Sequence, residues 1–363
     1  MRLQIIPRDL RFPPAVTLPG THPRKIFKLC WMPQGFGMKT GTGRFNSMNK
    51  KGVVLGLGAT AMDIVIRCSD LPKDDGFAQI FDERCTSGGS GANVLVTLAQ
   101  LGIETSLVAR IGDDSLGEQF RRELLQDGVS NRYLQVKPGG VTMYTYVFVA
   151  DRGKRSIFVN SGDSFLSLQE ENVEESMLDG VDVFFTDGYP SGASLKLARA
   201  AKSRKIPVFL QLECMPSFME GQLTNPQDLQ ELLGLVDLIC AGDDIYYELS
   251  EEQNEASAVK SIYRRYHPYH GIICTMGQKD PIWFDGEEMI SCPVYSVDAV
   301  DTTGAGDSFV GAMIYSYLLK GLDKREALRF ANACAAMKCL QPGPRFHGNA
   351  EDVLHFIKGY HSK

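Results

Sequence analysis

Long apolar runs are missing from this 363-residue chain. None approaches the roughly 20 residues needed to span a bilayer, so a membrane is not an expected partner. Clusters of positive charge are missing as well. Lys and Arg number 38 against 44 Asp and Glu, for a net charge of −6. Nothing basic gathers into the patch that a nucleic-acid binder needs, so DNA and RNA are not expected either. The nine cysteines include no Cys-x-x-Cys pair, which speaks against a zinc site and for reduced thiols in a cytoplasmic enzyme. His267-Pro268-Tyr269-His270 is the nearest approach to a ligand pair and reads as a plain loop. Residues 1–50 hold many prolines, are basic and nearly free of acids, and show no clear period or apolar signal segment. They read as a disordered tail, or as an extension upstream of a natural start at Met48. A mitochondrial or plastid presequence is the other reading.

Regular patterning starts near residue 51 and runs to about 360. Val53 to Leu57 is a short apolar run ending in glycines, a buried strand. Val94, Leu95, Leu98 and Leu101 fall at helical spacing after Gly88 to Gly91, and Gly102 stops the helix. Thr105 to Ala109 reads as a strand, and Leu116, Phe120 and Leu124 mark the next amphipathic helix. The rhythm continues with strands at Val181–Thr186, Ile206–Leu212, Val236–Ala241 and Ile272–Thr275, separated by helical stretches at Ala193–Ser203 and Leu229–Leu233. Such alternation implies a mostly parallel sheet covered on both faces, a three-layer α/β/α sandwich. Ligands bind such sheets at the carboxyl ends of their strands. Two stretches break the rhythm. Residues 64–86 hold two extended pieces, and residues 142–160 read as a β-hairpin turning at Asp151-Arg152-Gly153. Together they would form a small β lid.

Gly56-Leu57-Gly58-Ala59-Thr60-Ala61 fits the dinucleotide pattern G-x-G-x-x-A. The helix that pattern requires does not follow. Ile64-Val65-Ile66 is β-branched and extended instead, so a dehydrogenase is not expected. Asp63 then reads as an acceptor for substrate hydroxyls, or as a turn residue.

Chemistry concentrates in Asp301-Thr302-Thr303-Gly304-Ala305-Gly306-Asp307, followed by an apolar helical stretch from Val310 to Leu319. A glycine-rich turn feeding a helix start presents bare N–H groups and a positive dipole end to an anion. Asp307, in the first helical turn, either caps the helix or takes the proton from an attacking hydroxyl. Gly88-Gly89-Ser90-Gly91-Ala92-Asn93 opens another helix, with Gly88 and Gly89 leaving the backbone open to a substrate and Asn93 able to donate and accept.

These two motifs, in this order, resemble the signatures of the ribokinase-like (PfkB) carbohydrate kinases. Arg110-Ile111-Gly112-Asp113-Asp114-Ser115-Leu116-Gly117 and Thr275-Met276-Gly277 are similar to two further family segments. The resemblance implies ATP-dependent transfer of the γ-phosphoryl group to a hydroxyl, usually a primary alcohol of a sugar or nucleoside. By match, Asp307 would be the base and Gly304, Ala305 and Gly306 would build the anion hole with it. Asp63, Gly88, Gly89 and Asn93 would bind substrate, and Thr275, Gly277 and Asn332 would lie near the nucleotide. Mg2+ would be held mostly by ATP and water. A monovalent cation such as K+, in a cage of backbone carbonyls, would sit near Asp301. The β lid would mediate a homodimer. One departure stands out. The family's Asn-x-x-Glu after the strand at Val236–Ala241 is replaced by Gly242-Asp243-Asp244-Ile245, leaving Asp243, Asp244 and Glu248 as candidates to order magnesium, or as acids that merely start a helix.

Substrate choice is weakly marked. Ser90 stands where some phosphosugar members carry Lys, which leans toward a neutral sugar or polyol; Arg152, Lys154 and Arg155 at the hairpin tip point the other way. Met337-Lys338-Cys339-Leu340-Gln341-Pro342-Gly343 is similar to the sulfosugar and ketose branch. A nucleoside kinase and a non-catalytic sugar- or nucleotide-binding regulator on the same fold are the alternatives to a sugar kinase.

Overall fold

Short apolar runs become strands and the 3.6-period segments become helices in the computed structural model, which describes residues 52–150, 155–219 and 224–360. The strands are β1 (Val53–Leu57), β2 (Ala61–Cys68), β3 (Ile80–Gly88), β4 (Glu104–Gly112), β5 (Leu134–Lys137), β6 (Tyr144–Val149), β7 (Arg155–Asn160), β8 (Val183–Thr186), β9 (Val208–Leu212), β10 (Leu238–Gly242), β11 (Gly271–Met276), β12 (Lys279–Phe284) and β13 (Met289–Ser291). The α-helices are α1 (Ser90–Gln100), α2 (Ser115–Gln126), α3 (Ser191–Ser203), α4 (Pro216–Met219), α5 (Pro226–Leu235), α6 (Asp243–Ser250), α7 (Glu255–Tyr266), α8 (Ala305–Met313), α9 (Lys324–Cys339) and α10 (Ala350–Tyr360). The expectations for residues 1–50 and for Arg152 and Lys154 at the hairpin tip lie outside the described residues.

Nine strands form one sheet in the order β13-β12-β11-β10-β9-β8-β1-β4-β5. Neighbours from β11 to β5 pair in parallel, and β12 and β13 return antiparallel. Side chains alternate between two cores, as a sheet covered on both faces requires. Val54, Phe209, Leu238 and Ile273 pack toward α1, α8 and α9, whereas Leu55, Leu210, Ile239 and Ile272 pack toward α3, α5 and α7. Each fully buried Leu or Ile there contributes about 1.5–3 kcal/mol.

The irregular stretches pair into a second sheet, β3-β2-β6-β7, with β2 and β6 parallel and the outer pairs antiparallel. One face carries an aromatic row of Tyr144, Tyr146, Phe148 and Phe158 in edge or tilted contact. Phe158 is 62% exposed and Ile157, on the opposite face, 51%. The Arg110–Gly117 segment ties this sheet to the main one. Asp114 caps α2 through Gly117 N (2.8 Å) and also accepts from Thr142 N (2.9 Å) and Thr142 Oγ1 (2.7 Å), just ahead of β6.

The helix expected at Val310–Leu319 begins earlier, at Ala305, and widens into a π turn over Ile314–Leu319. It crosses α1 closely. A β-carbon on Gly311 would lie 2.8 Å from Thr97 Cβ and 3.0 Å from the Val94 carbonyl. Alanine in a helix interior ordinarily gains about 1 kcal/mol over glycine. Here the facing backbone cannot yield, so Gly311→Ala is expected to destabilise by about 1–3 kcal/mol. Urea unfolding of the purified variant reads the sign directly.

Candidate active site

The carboxyl ends of β1, β8, β9, β10 and β11 converge with the N-termini of α1 and α8. The turn before α8 needs a glycine: Gly304 has φ 76°, and a β-carbon there would stand 1.8 Å from the Pro344 carbonyl. Asp307 follows in the first helical turn and is 5% exposed. Its Oδ2 accepts from Asn93 Nδ2 at 2.8 Å, and its Oδ1 from Gln211 Nε2 at 3.1 Å. The other ends of those two amides, Asn93 Oδ1 and Gln211 Oε1, are buried without a partner, as is Thr60 Oγ1. Buried acceptors left open in this way are what a hydroxylated ligand would satisfy.

Gly88 and Gly89, two of the expected substrate glycines, are also required by the protein's own packing. A β-carbon on Gly88 would lie 2.1 Å from Asp63 Oδ2, and one on Gly89 (φ 88°) would lie 2.5 Å from the Ala59 carbonyl. Asp63 thus sits against the Gly88 turn, with its Oδ1 accepting from Thr145 Oγ1 at 2.6 Å. Burial pushes its carboxyl up from the usual range.

A cavity of about 470 Å³ opens beside Asp307, between the ends of β9, β10 and β11 and the start of α8. Glu213, Gly242, Asp244, Thr275 and Gly306 line it. Gly306 offers open space where a side chain would be, and a first-turn N–H there has no intrahelical acceptor. Ala305 N is already turned onto the Thr302 carbonyl at 3.2 Å. The other acids expected around magnesium separate. Asp244 faces the cavity, whereas Glu248 accepts from Ser217 N (2.5 Å) and Ser217 Oγ (3.1 Å), and Asp243 opens α6. Gly277 has φ 60° in the turn after β11. Asn332, in α9, donates to the Cys292 (3.0 Å) and Pro293 (3.1 Å) carbonyls and is 5% exposed.

Three residues escaped the sequence reading. Gln211 lies near the end of β9, Glu213 directly follows that strand, and Asp187 follows β8. Asp187 is wholly buried, with Oδ2 accepting from Ala59 N at 2.6 Å. Burial foremost, with the charge of Asp307 adding, pushes its carboxyl up to about 8. Asp307 itself is raised to about 6, by burial against the opposing hydrogen bonds from Asn93, Glu213 and Gln211. Glu213 opens onto the cavity yet is ringed by protein. That enclosure, followed by the charges of Asp307 and Asp187, pushes its carboxyl well up. Glu213 and Asp307 thus stand close enough for the charge of each to disfavour ionisation of the other.

Solved chains share this architecture. Arabidopsis thaliana ribokinase complexed with ribose and ATP superposes with a TM-score of 0.73 at 23% identity, over 85% of this chain and 99% of that one. A solved chain from E. coli in complex with ATP and Mg2+ gives 0.72 at 23%, over 85% and 99%. The fold class is thus ribokinase-like α/β. Sequence narrows it further: the pattern of the pfkB family carbohydrate kinases matches residues 53–350, and the chain belongs to that family. The ATP-dependent ribose-1-phosphate kinase of Halopiger xanaduensis is 31% identical over 310 residues, 84% of this chain and 97% of that one. The activity is that of an ATP-dependent carbohydrate kinase, a phosphotransferase with an alcohol group as acceptor. Among the described residues no helix is long and apolar enough to cross a membrane.

The raised Asp187 carboxyl has a consequence for stability. Its folded value, about 8, lies above the ordinary aspartic acid value of about 4. The folded state therefore holds the extra proton, and stability falls as pH rises between those values. Asp187→Asn removes this titration. Its urea-unfolding stability is expected to change less from pH 6 to pH 9 than that of the wild type; equal slopes would count against a protonated Asp187.

Proposed function

We propose that Asp307 is the general base in transfer of the γ-phosphoryl group of ATP to a hydroxyl of a sugar or sugar-like substrate. The observation that carries this is the carboxylate itself: buried at a helix N-terminus, aimed by two amides, and beside an open cavity. A base raised toward 6 is ionised at neutral pH yet basic enough to accept a proton. The proton passes from the substrate hydroxyl to Asp307. The freed oxygen attacks the γ-phosphorus, the bond to the β-phosphate oxygen breaks, and ADP leaves. N–H groups from Gly304 to Asp307, chiefly those of Gly306 and Asp307, meet the charge that develops on the phosphoryl oxygens.

Asp63 and the open acceptor of Asn93 take the sugar hydroxyls, while Thr275 and Gly277 flank the nucleotide. Magnesium arrives as Mg-ATP. Glu213 and Asp244 suit its water shell, since Leu212 of β9 pairs with Ala241 of β10 and sets Glu213 beside Gly242. The metal is held mainly by phosphate and water. The acceptor is a pentose or hexose, free or already phosphorylated. The similarity to a ribose-1-phosphate kinase supports the second form, and Ser90 in place of Lys supports the first. All eight described cysteines are free, which supports a reducing, cytoplasmic setting.

ADP release is the direct test, with Mg-ATP and ribose, deoxyribose, fructose, ribose-1-phosphate or adenosine. For the accepted compound, Asp307→Asn is expected to cost about 10²–10⁴ in kcat, with no loss of melting temperature because a crowded carboxylate becomes neutral. In the wild type, kcat/KM is expected to fall as pH drops below about 6, where Asp307 takes its proton. Full turnover by the Asn variant would remove Asp307 from the chemistry.

The exposed aromatic row on the small sheet supports a homodimer formed through that lid. Phe158→Asp is expected to halve the mass seen by light scattering in solution. A wild type that is already monomeric would end this reading.

A further inference from the structure

The family resemblance implies a monovalent cation in a cage of carbonyls near Asp301. That place already holds a charge. Lys338, in the last turn of α9, is wholly buried. Its Nζ donates to the Asp301 carbonyl at 3.1 Å and to the Gln341 carbonyl at 3.2 Å. We infer that the Lys338 ammonium replaces the monovalent cation, so that the kinase carries its own fixed ion and needs no potassium.

The two carbonyls belong to the two loops that set the Gly304 turn. One runs from Val300 to Gly304 and the other from Leu340 to Arg345. Their other contacts show how tightly they are joined. Val300 N and Asp301 N both donate to the Cys339 carbonyl, at 2.7 and 3.2 Å. Gly343 N donates to Asp301 Oδ2 at 3.0 Å, and Thr303 N to Asp301 Oδ1 at 2.9 Å. Gly304 then lies against the Pro344 carbonyl. A positive charge at the junction draws both carbonyls toward one point, which is the work a bound cation would do. Burying an ammonium is costly unless its donors are met. Here two carbonyls, the nearby Asp301 carboxylate and the carbonyl end of α9 meet it. A second cation in the same cage would face an unscreened like charge, so the site does not fit one.

The activity arm of the test rests on the kinase reading; the melting and binding arms do not. Full-length wild-type protein is compared in potassium and in choline chloride at matched ionic strength, so that screening is constant. Turnover is expected to differ by less than about twofold, with no potassium-dependent rise in melting temperature. Lys338→Met keeps most of the stem and removes the ammonium. In choline it is expected to lose roughly 10- to 100-fold in turnover, as changes in the shell around a bound ion do. Potassium should then raise both its turnover and its melting temperature, and dialysis with thallium(I) should find one bound ion in the variant and none in the wild type. Several-fold activation of the wild type by potassium, a thallium site in it, or a folded variant indifferent to potassium would each overturn the inference. If the variant does not fold, the wild-type comparison decides alone. If neither protein turns over any substrate, the kinase reading fails, while melting and thallium binding still judge the role of Lys338.

Discussion

The carboxylate of Asp307 is the point at which three remote parts of the chain meet. Asn93 reaches it across 214 positions and Gln211 across 96. One amide comes from the first helix, the other from a central strand, and the acid from a helix start near the end of the domain. Aligning them to within a hydrogen bond requires the parallel sheet to be in register and α1 to lie close on α8. Gly311 permits that approach. The small residues around the site thus answer mainly to backbone packing, and the room they leave for a ligand is what remains after the chain has closed on itself.

Placing a carboxylate in that position draws others with it. Asp63, Asp187 and Glu213 all stand in a region poor in water, and each raises the cost of ionising its neighbours. The arrangement separates their roles. Asp187 is sealed beneath Ala59, where burial pushes its carboxyl up to about 8. Glu213 opens to the cavity, with its carboxyl raised by enclosure and by the neighbouring acids. Asp307 has two amide donors, which favour its ionised form and oppose the effect of burial. Amide donors stabilise the ionised form of a buried acid, and that preference is what leaves one of these four free to act as a base.

Much of this was legible in the sequence where residues act as a contiguous group. Asp301 to Asp307 announces a turn and a helix start through its glycines, and the Gly88-Gly89 turn does the same. The parallel core showed in short apolar runs such as Val53–Leu57. Other features had no local sign. β13 has only three residues, and β12 opens on Lys279-Asp280-Pro281, which lacks the apolar run of a buried strand. Their strand character comes from pairing with β11. Gln211, Glu213 and Asp187 are single polar residues at strand ends, where nothing in their neighbours reveals that the sheet will gather them. Gly88 has a second reason to be glycine that the sequence did not show: a β-carbon there would meet Asp63, whose position is set by pairing between β2 and β3.

The same distinction explains how the chain tolerates losing Asn-x-x-Glu. Gly242 and Ile245 stand in that stretch, and Ile245 is 4% exposed, at home among the apolar residues of its layer. A carboxylate there would need a partner or a cation to offset its burial. Glu213 approaches the same cavity from β9, one strand away, and Gly242 adds no side chain to obstruct it. In a parallel sheet all strand ends open onto one edge, so a carboxyl group after the adjacent strand can still face the same ligand. Lys338 follows the same logic with opposite sign, a helix side chain supplying at a fixed point the charge that a free ion would otherwise bring. In both cases the geometry holds a polar group at a place rather than a residue at a sequence position, and a motif can lapse while the site that needed it persists.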